Sequence, residues 1–190
     1  MNLRGILPMF FACAALIPVA SASNVFVLPP SAQSGTGLVF SELLAPGGTF
    51  AAPAGVHTTL VSSSGTKAAF LSTNASAPIT FISLANSQVT GPARTLLLDG
   101  FGVTAGVMTP DGQQIVAVGG SDPGKLFLID VATETVQTYG RVTLSTTSTG
   151  TPKDLVITHD SKYAVVLSTA GGRITVVSLQ TGAIVKQTLF

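Results

Sequence analysis

Two histidines, His57 and His159, and eight carboxylates are the groups from which any proton-transfer or metal site in this chain would be built. Tightly bound metals need closely spaced sets of Cys, His and carboxylate ligands. The two histidines are not spaced as a pair, and the one cysteine, Cys13, lies in an apolar N-terminal stretch. His159 stands where a neighbouring, similar stretch has Pro110, so it reads as a turn residue; His57 lies just before an expected strand. Asp111 and Asp160 fall in hairpin turns, Asp130 ends an apolar run where turn amides would reach it, and Glu134 reads as an exposed turn charge. Asp99 and Asp154 differ, because they fall where one structural unit hands over to the next, close to Arg94, Arg141 and Lys153. Asp99, Arg141, Lys153 and Asp154 are therefore the candidate channel-rim or loop contacts: Asp99, Lys153 and Asp154 would form a polar cluster at a channel rim, and the alternative is that all are solvated loop charges. The loop GGSDPG (Gly119–Gly124) lacks the Lys-Ser/Thr of a phosphate-binding loop, and no GxSxG nucleophile elbow occurs. Asn74-Ala75-Ser76 is formally a glycosylation sequon. The sequence assigns no catalytic residue, no metal ligand and no cofactor.

The elements that must carry these residues repeat. The stretches LVSSSGTKAAFLST from Leu60, VMTPDGQQIVAVGG from Val107 and VITHDSKYAVVLST from Val156 share a turn between two short apolar runs. Pro110 presets its φ, Asp111 can bond back to the turn backbone, and Gly112 accepts a positive φ. Lys67, Gln113 and Lys162, taken as anchors, are 46 and 49 residues apart. Each is preceded by a short run and followed by a second run, a small-residue loop, a third run, a turn and a fourth run. β-branched residues are common in the runs, and Gly, Pro, Asn and Asp punctuate them. A partial unit with strands at Val25–Leu28 and Leu38–Glu42, a turn at Ala45–Gly48 and a run at Thr49–Ala52 leads the series. Four-stranded units of about 45 residues predict an all-β, β-propeller-type fold with about three and a half blades, a partial or fragmentary propeller. The expected blades are approximately 23–55, 56–99, 100–145 and 146–190. No unit can cover both faces of its own small sheet, so neighbours must do so.

Residues 1–22 read as a signal peptide: Arg4, an apolar stretch from Ile6 to Val19, and the small-x-small end Ala20-Ser21-Ala22. Cleavage there would leave no membrane span and no cysteine, and would place the chain in a secreted or periplasmic setting. Losing Arg4 takes the nine basic residues to eight, equal to the eight acidic ones. A neutral, sparsely charged chain lacks the basic footprint of a nucleic-acid binder and the polybasic clusters that hold anionic lipid.

The segment Gly106–Val136, with Pro110-Asp111-Gly112, Ile115–Val118, Asp130, Thr133 and Val136, resembles the YVTN/YncE-like family of propeller repeats. The unit at Thr151–Leu189 departs from the pattern at Ser178 and at His159-Asp160-Ser161, and that at Val56–Leu98 departs further. The resemblance implies exported blades, often seven to a ring, and specifies a scaffold rather than an activity. The function expected is a non-enzymatic binding or scaffold module. Its partner would be a protein or a cell-envelope component, met through Pro29–Gly37 and Arg141–Pro152, with self-association through open blade edges. The alternative is a fragment of a propeller enzyme, lactonase-like or oxidoreductase, whose catalytic residues lie on missing blades.

Overall fold

The computed structural model describes residues 24–29, 33–41, 46–121, 123–144, 150–169 and 172–189. The expected signal segment, residues 30–32 of the Pro29–Gly37 loop, Asp122 and residues 145–149 of the Arg141–Pro152 connection lie outside these residues. Sixteen strands and no helix occur among the described residues, arranged as four antiparallel sheets in chain order. No described helix is therefore long and apolar enough to cross a membrane.

The first sheet holds β1 (Asn24–Val27), β2 (Gly35–Ser41) and β3 (Pro46–Ala52). The second holds β4 (Val56–Val61), β5 (Lys67–Ser72), β6 (Ile79–Ala85), β7 (Gln88–Val89) and β8 (Arg94–Leu96). The third runs β9 (Val103–Met108), β10 (Gln114–Gly119), β11 (Lys125–Asp130) and β12 (Thr135–Thr143). The fourth runs β13 (Pro152–Ile157), β14 (Tyr163–Ser168), β15 (Arg173–Ser178) and β16 (Ile184–Leu189). Two sequence boundaries need correction, and the fourth run of the second unit, expected at Arg94–Leu98 or at Val89-Thr90, is found at both places. The outer strand of the second sheet is divided, because β7 pairs with Leu84-Ala85 while β8 pairs with Ile79–Phe81. The run at Thr49–Ala52 begins earlier, at Pro46, so Pro46–Gly48 is strand and not turn. Arg141–Thr143 likewise belongs to β12, which shortens the expected linker.

The repeat register also shifts by one residue in the second sheet. The hairpin bonds Ser62 N to Lys67 O, Thr109 N to Gln114 O and Thr158 N to Tyr163 O identify Lys67 with Gln114, not Gln113. Since alternate residues of a strand face opposite ways, one residue decides which side chains meet which neighbour. In the true register Ala69, Leu71, Ile79 and Phe81 of the second sheet meet Ile115, Ala117, Phe127 and Ile129 of the third. The other face of the third sheet, Val116, Val118, Leu126 and Leu128, meets Ala164, Val166 and Val177 of the fourth. Val39, Phe50 and Ala52 of the first sheet meet Ala68, Phe70, Ile82 and Leu84 of the second, with Phe50 and Phe70 stacked at 4.6 Å. The core is thus three apolar layers between sheets. At roughly 25 cal/mol per Å2, each buried Leu, Ile or Phe in them contributes about 1.5–3 kcal/mol.

Each sheet has two ends. The hairpin end carries the first loop of the unit (such as Thr109–Gln113) and the third (Val131–Glu134). The linker end carries the second loop and the connection to the next sheet, such as Leu97–Gly102.

Candidate functional site

At the linker end, Asp99 lies just beyond β8 with a positive φ of 49°. Its Oδ2 is 3.4 Å from Arg141 Nε on β12 and 3.6 Å from Lys125 Nζ at the start of β11. Lys125 Nζ also lies 5.0 Å above the Phe101 ring, a cation–π distance. Asp99 and Arg141 therefore meet, as part of a cluster that bridges the second and third sheets. Lys153 and Asp154 do not join them: both are exposed on β13, and Asp154 Oδ1 accepts the amide of its own neighbour Leu155. Lys125 and Phe101 were missed by the sequence reading. Lys125, directly after the GGSDPG loop, was the signal available.

The innermost strands β4, β9 and β13 lie side by side, and each carries a one-residue bulge near its start. His57, Thr104 and Lys153 are the extra residues, as the breaks in pairing at Val56/Thr58, Val118/Gly119 and Pro152/Asp154 show. A bulge turns its side chain out of the alternation of the ladder. His57 Nε2 donates to Val103 O at 2.9 Å, and Thr104 Oγ1 donates to Pro152 O at 2.9 Å. Val103 and Pro152 are matching residues, each immediately before the next bulge. Nδ1 of the same ring lies 2.9 Å from the Thr58 hydroxyl, a second hydrogen bond that orients the imidazole. His57 is thus within a strand rather than before one, and it fastens one blade to the next.

At the hairpin end the carboxylates hold turns and junctions. Asp111 Oδ1 accepts the Thr109 hydroxyl at 2.6 Å and the Gln113 amide at 3.0 Å. Asp160 repeats this with Thr158 at 2.7 Å and Lys162 N at 3.1 Å. These hydroxyl and amide donors hold both carboxyl groups below the usual aspartate range. Asp130 Oδ1 accepts the amide and hydroxyl of Thr133, and His159 is an exposed turn residue as expected. Glu134 corrects the sequence reading. It is 7% exposed, not a surface charge, and ion-pairs with Lys67 of the second sheet. Arg94 Nη1 is 3.1 Å from Glu134 Oε2, close enough for charge attraction but off the line of a hydrogen bond. No group of three or more His, Cys, Asp or Glu residues among those described could hold a metal.

A fan of small antiparallel sheets with an apolar layer between each neighbouring pair, and hydrogen bonds linking the innermost strands of the second, third and fourth, defines a β-propeller-type protein with about three and a half blades. One solved structure with this architecture is hydrazine synthase of Kuenenia stuttgartiensis, matched with a TM-score of 0.65 at 13% identity. The match covers 88% of this chain and 46% of that one, so the chain spans about half the length of the structure it resembles. Because 709 chains of solved structures match, the likeness speaks for a widely shared fold and not for an activity. No protein-family model and no curated protein matches the sequence.

Proposed function

We propose that this chain is an exported, non-enzymatic β-propeller repeat protein of the YVTN/YncE-like kind. It acts as a binding or scaffold module for a protein or a cell-envelope component. The observation that carries the reading is how the ionisable groups are used. Asp111, Asp130 and Asp160 brace turns, Glu134 and His57 join blades, and Asp154 accepts a backbone amide. At the linker end Asp99, Lys125 and Arg141 beside Phe101 offer paired charges and a ring face, the chemistry of a polar protein contact. Residues 1–22 supply the export signal, and the secreted or periplasmic chain would begin at Ser23.

The enzyme-fragment reading, lactonase-like or oxidoreductase, is favoured by one observation. The match covers 46% of a larger chain, so a fold of this kind has room for further blades that could carry catalytic residues. The two readings separate in one experiment. A photo-crosslinking amino acid replaces Arg141 at the linker end, or Lys186 on the outer strand β16, in cells producing the full chain. A specific adduct formed from position 141 and not from 186 supports the module, and N-terminal sequencing of the adduct should begin at Ser23. Equal labelling from both positions, or turnover of a lactone panel by the purified chain, overturns it.

A further inference from the structure

The fourth sheet has the two faces of an inner blade, but only one of them is covered. By register, Val165, Leu167, Ile174 and Val176 are the counterparts of Val116, Val118, Leu126 and Leu128, which fill the layer between the third and fourth sheets. On the fourth sheet this face lies open. Leu167 is 37% exposed, and Val156, which pairs with Val165, is 59% exposed. Lys153 marks the same vacancy at the linker end. It is the third bulge residue after His57 and Thr104, is exposed, and makes no hydrogen bond or ion pair among the described residues. The opposite end of the arc carries the complementary surface. Val39, Phe50 and Ala52 of the first sheet are covered by the second sheet. Its other side presents Val27, Leu38 and Phe40, with Leu38 37% exposed.

We propose that the open face of the fourth sheet binds the open face of the first sheet in a second copy of this chain. The pairing is head-to-tail and stacks blade on blade, with Lys153 donating to a backbone carbonyl of the incoming copy. The chain itself forms this kind of layer three times, so both halves of the interface are present in one sequence. Two arcs of about three and a half blades make a ring of about seven, within the four to eight blades that propellers have. A twofold pair forms two such contacts and closes, leaving no apolar face for further growth. Strands about 4.8 Å apart and six residues at about 3.3 Å give a face of roughly 400 Å2 for the four-stranded fourth sheet and roughly 300 Å2 for the three-stranded first sheet. The two faces of each chain come to roughly 700 Å2 per partner, within the range of a standard stable interface. This differs from strand addition at a sheet edge, because the contact is made by side chains of one face.

The test is sedimentation of the purified full chain together with cross-linking between marked copies. Leu38→Cys and Leu167→Cys, each in a Cys13→Ser background, are prepared separately and mixed with a short bis-maleimide. Both positions are already exposed, so neither change empties a core. The expected result is a dimer that cross-links in the mixture and in neither sample alone. Lys153→Met should keep the far-UV spectrum and weaken dimerisation roughly a hundredfold, because the twofold pair loses two charge-assisted hydrogen bonds of about tenfold each. A monomer at tens of micromolar overturns the proposal and leaves the face to a further blade. Leu167→Cys cross-linked to itself overturns it in favour of a tail-to-tail pair.

Discussion

The junction between the second and third sheets and the junction between the third and fourth are built from the same repeat, yet they close differently. Both have an apolar layer and an inner-strand hydrogen bond, His57 to Val103 in one and Thr104 to Pro152 in the other. At the hairpin end they part. Between the second and third sheets, Ser63 Oγ donates to Asp111 O at 3.0 Å, and Lys67 reaches Glu134 and, at 3.3 Å, Ala132 O. Between the third and fourth there is instead a shallow, open cleft lined by Thr109, Asp111, Gln114, Tyr139, Ser161 and Lys162. The cause is in the register. The counterpart of Lys67 is Gln114, and that of Glu134 is Gly182, as the matching turn bonds Glu134 N to Asp130 O and Gly182 N to Ser178 O show. A Cβ at Gly182 would lie 2.3 Å from the Tyr139 carbonyl oxygen, so no acidic side chain fits there. The apolar layer is thus a property of the repeat, while the ends of each junction are particular to it.

The sharpest way to break this comparison is to empty the tighter layer. Phe127 is fully buried, and its counterpart in the fourth sheet is Thr175, at 1% exposure. Phe127→Ala should lower the unfolding free energy by about 3–5 kcal/mol, because lost transfer energy and a residual cavity add. Thr175→Ala, which loses the 3.1 Å bond from Gln187 Nε2, should cost about 1 kcal/mol. Urea unfolding of both variants decides the matter. Equal losses would mean that the two layers are energetically alike and that the contrast is confined to the sheet ends.

Next in size is the ionic closure. Glu134→Gln leaves Lys67 facing a neutral partner in a site where the Glu134 side chain is only 5% exposed. The Lys67 and Arg94 side chains are 23% and 68% exposed, so water screens much of the pair. The cost should be roughly 1–2 kcal/mol, below that of breaking a fully buried pair. Raising the salt concentration should shrink the difference between wild type and variant. A loss that is insensitive to salt would show that Glu134 acts through its turn and not through its charge.

The contrast between the junctions was only partly legible in the sequence. Thr-Pro-Asp-Gly and Thr-His-Asp-Ser announce their hairpins because turn chemistry is local. Aligning those turns from Leu60, Val107 and Val156 gives the register that the hydrogen bonds confirm. Anchoring on Lys67 and Gln113 fails by one residue, because a lysine or glutamine at a strand start has no conformational signature. The bulges were invisible for a related reason. His57, Thr104 and Lys153 share a position but no residue type, and a bulge arises from pairing between strands rather than from the strand itself. Glu134 looked exposed because its burial comes from the second sheet, far away in the chain. Asp99 and Arg141 do meet, whereas Lys153 and Asp154 belong to an inner strand that proximity in sequence to the linker disguised.

The smallest effect separates the hairpins themselves. Gly65, Gly112 and Ser161 hold the same turn position, with φ of 67°, 71° and 55°. Only Ser161 carries a Cβ there, in a region that costs an L-residue about 1–2 kcal/mol. Gly112 cannot carry one, since its Cβ would come within 2.7 Å of the Ser63 amide across the closed junction. The open cleft beside Ser161 removes that restriction. Ser161→Gly should therefore relieve strain, partly offset by about 0.5–1 kcal/mol for the freer unfolded chain. A net gain of roughly 0.5 kcal/mol should raise Tm by about 1–2 °C for a domain of this size. If the melt instead moves down, the Ser161 side chain contributes to the cleft, and the gap between the third and fourth sheets is a structured surface with its own polar contacts. A gain in Tm would leave the cleft as the place where the repeat, lacking a Lys67–Glu134 pair, simply stays apart.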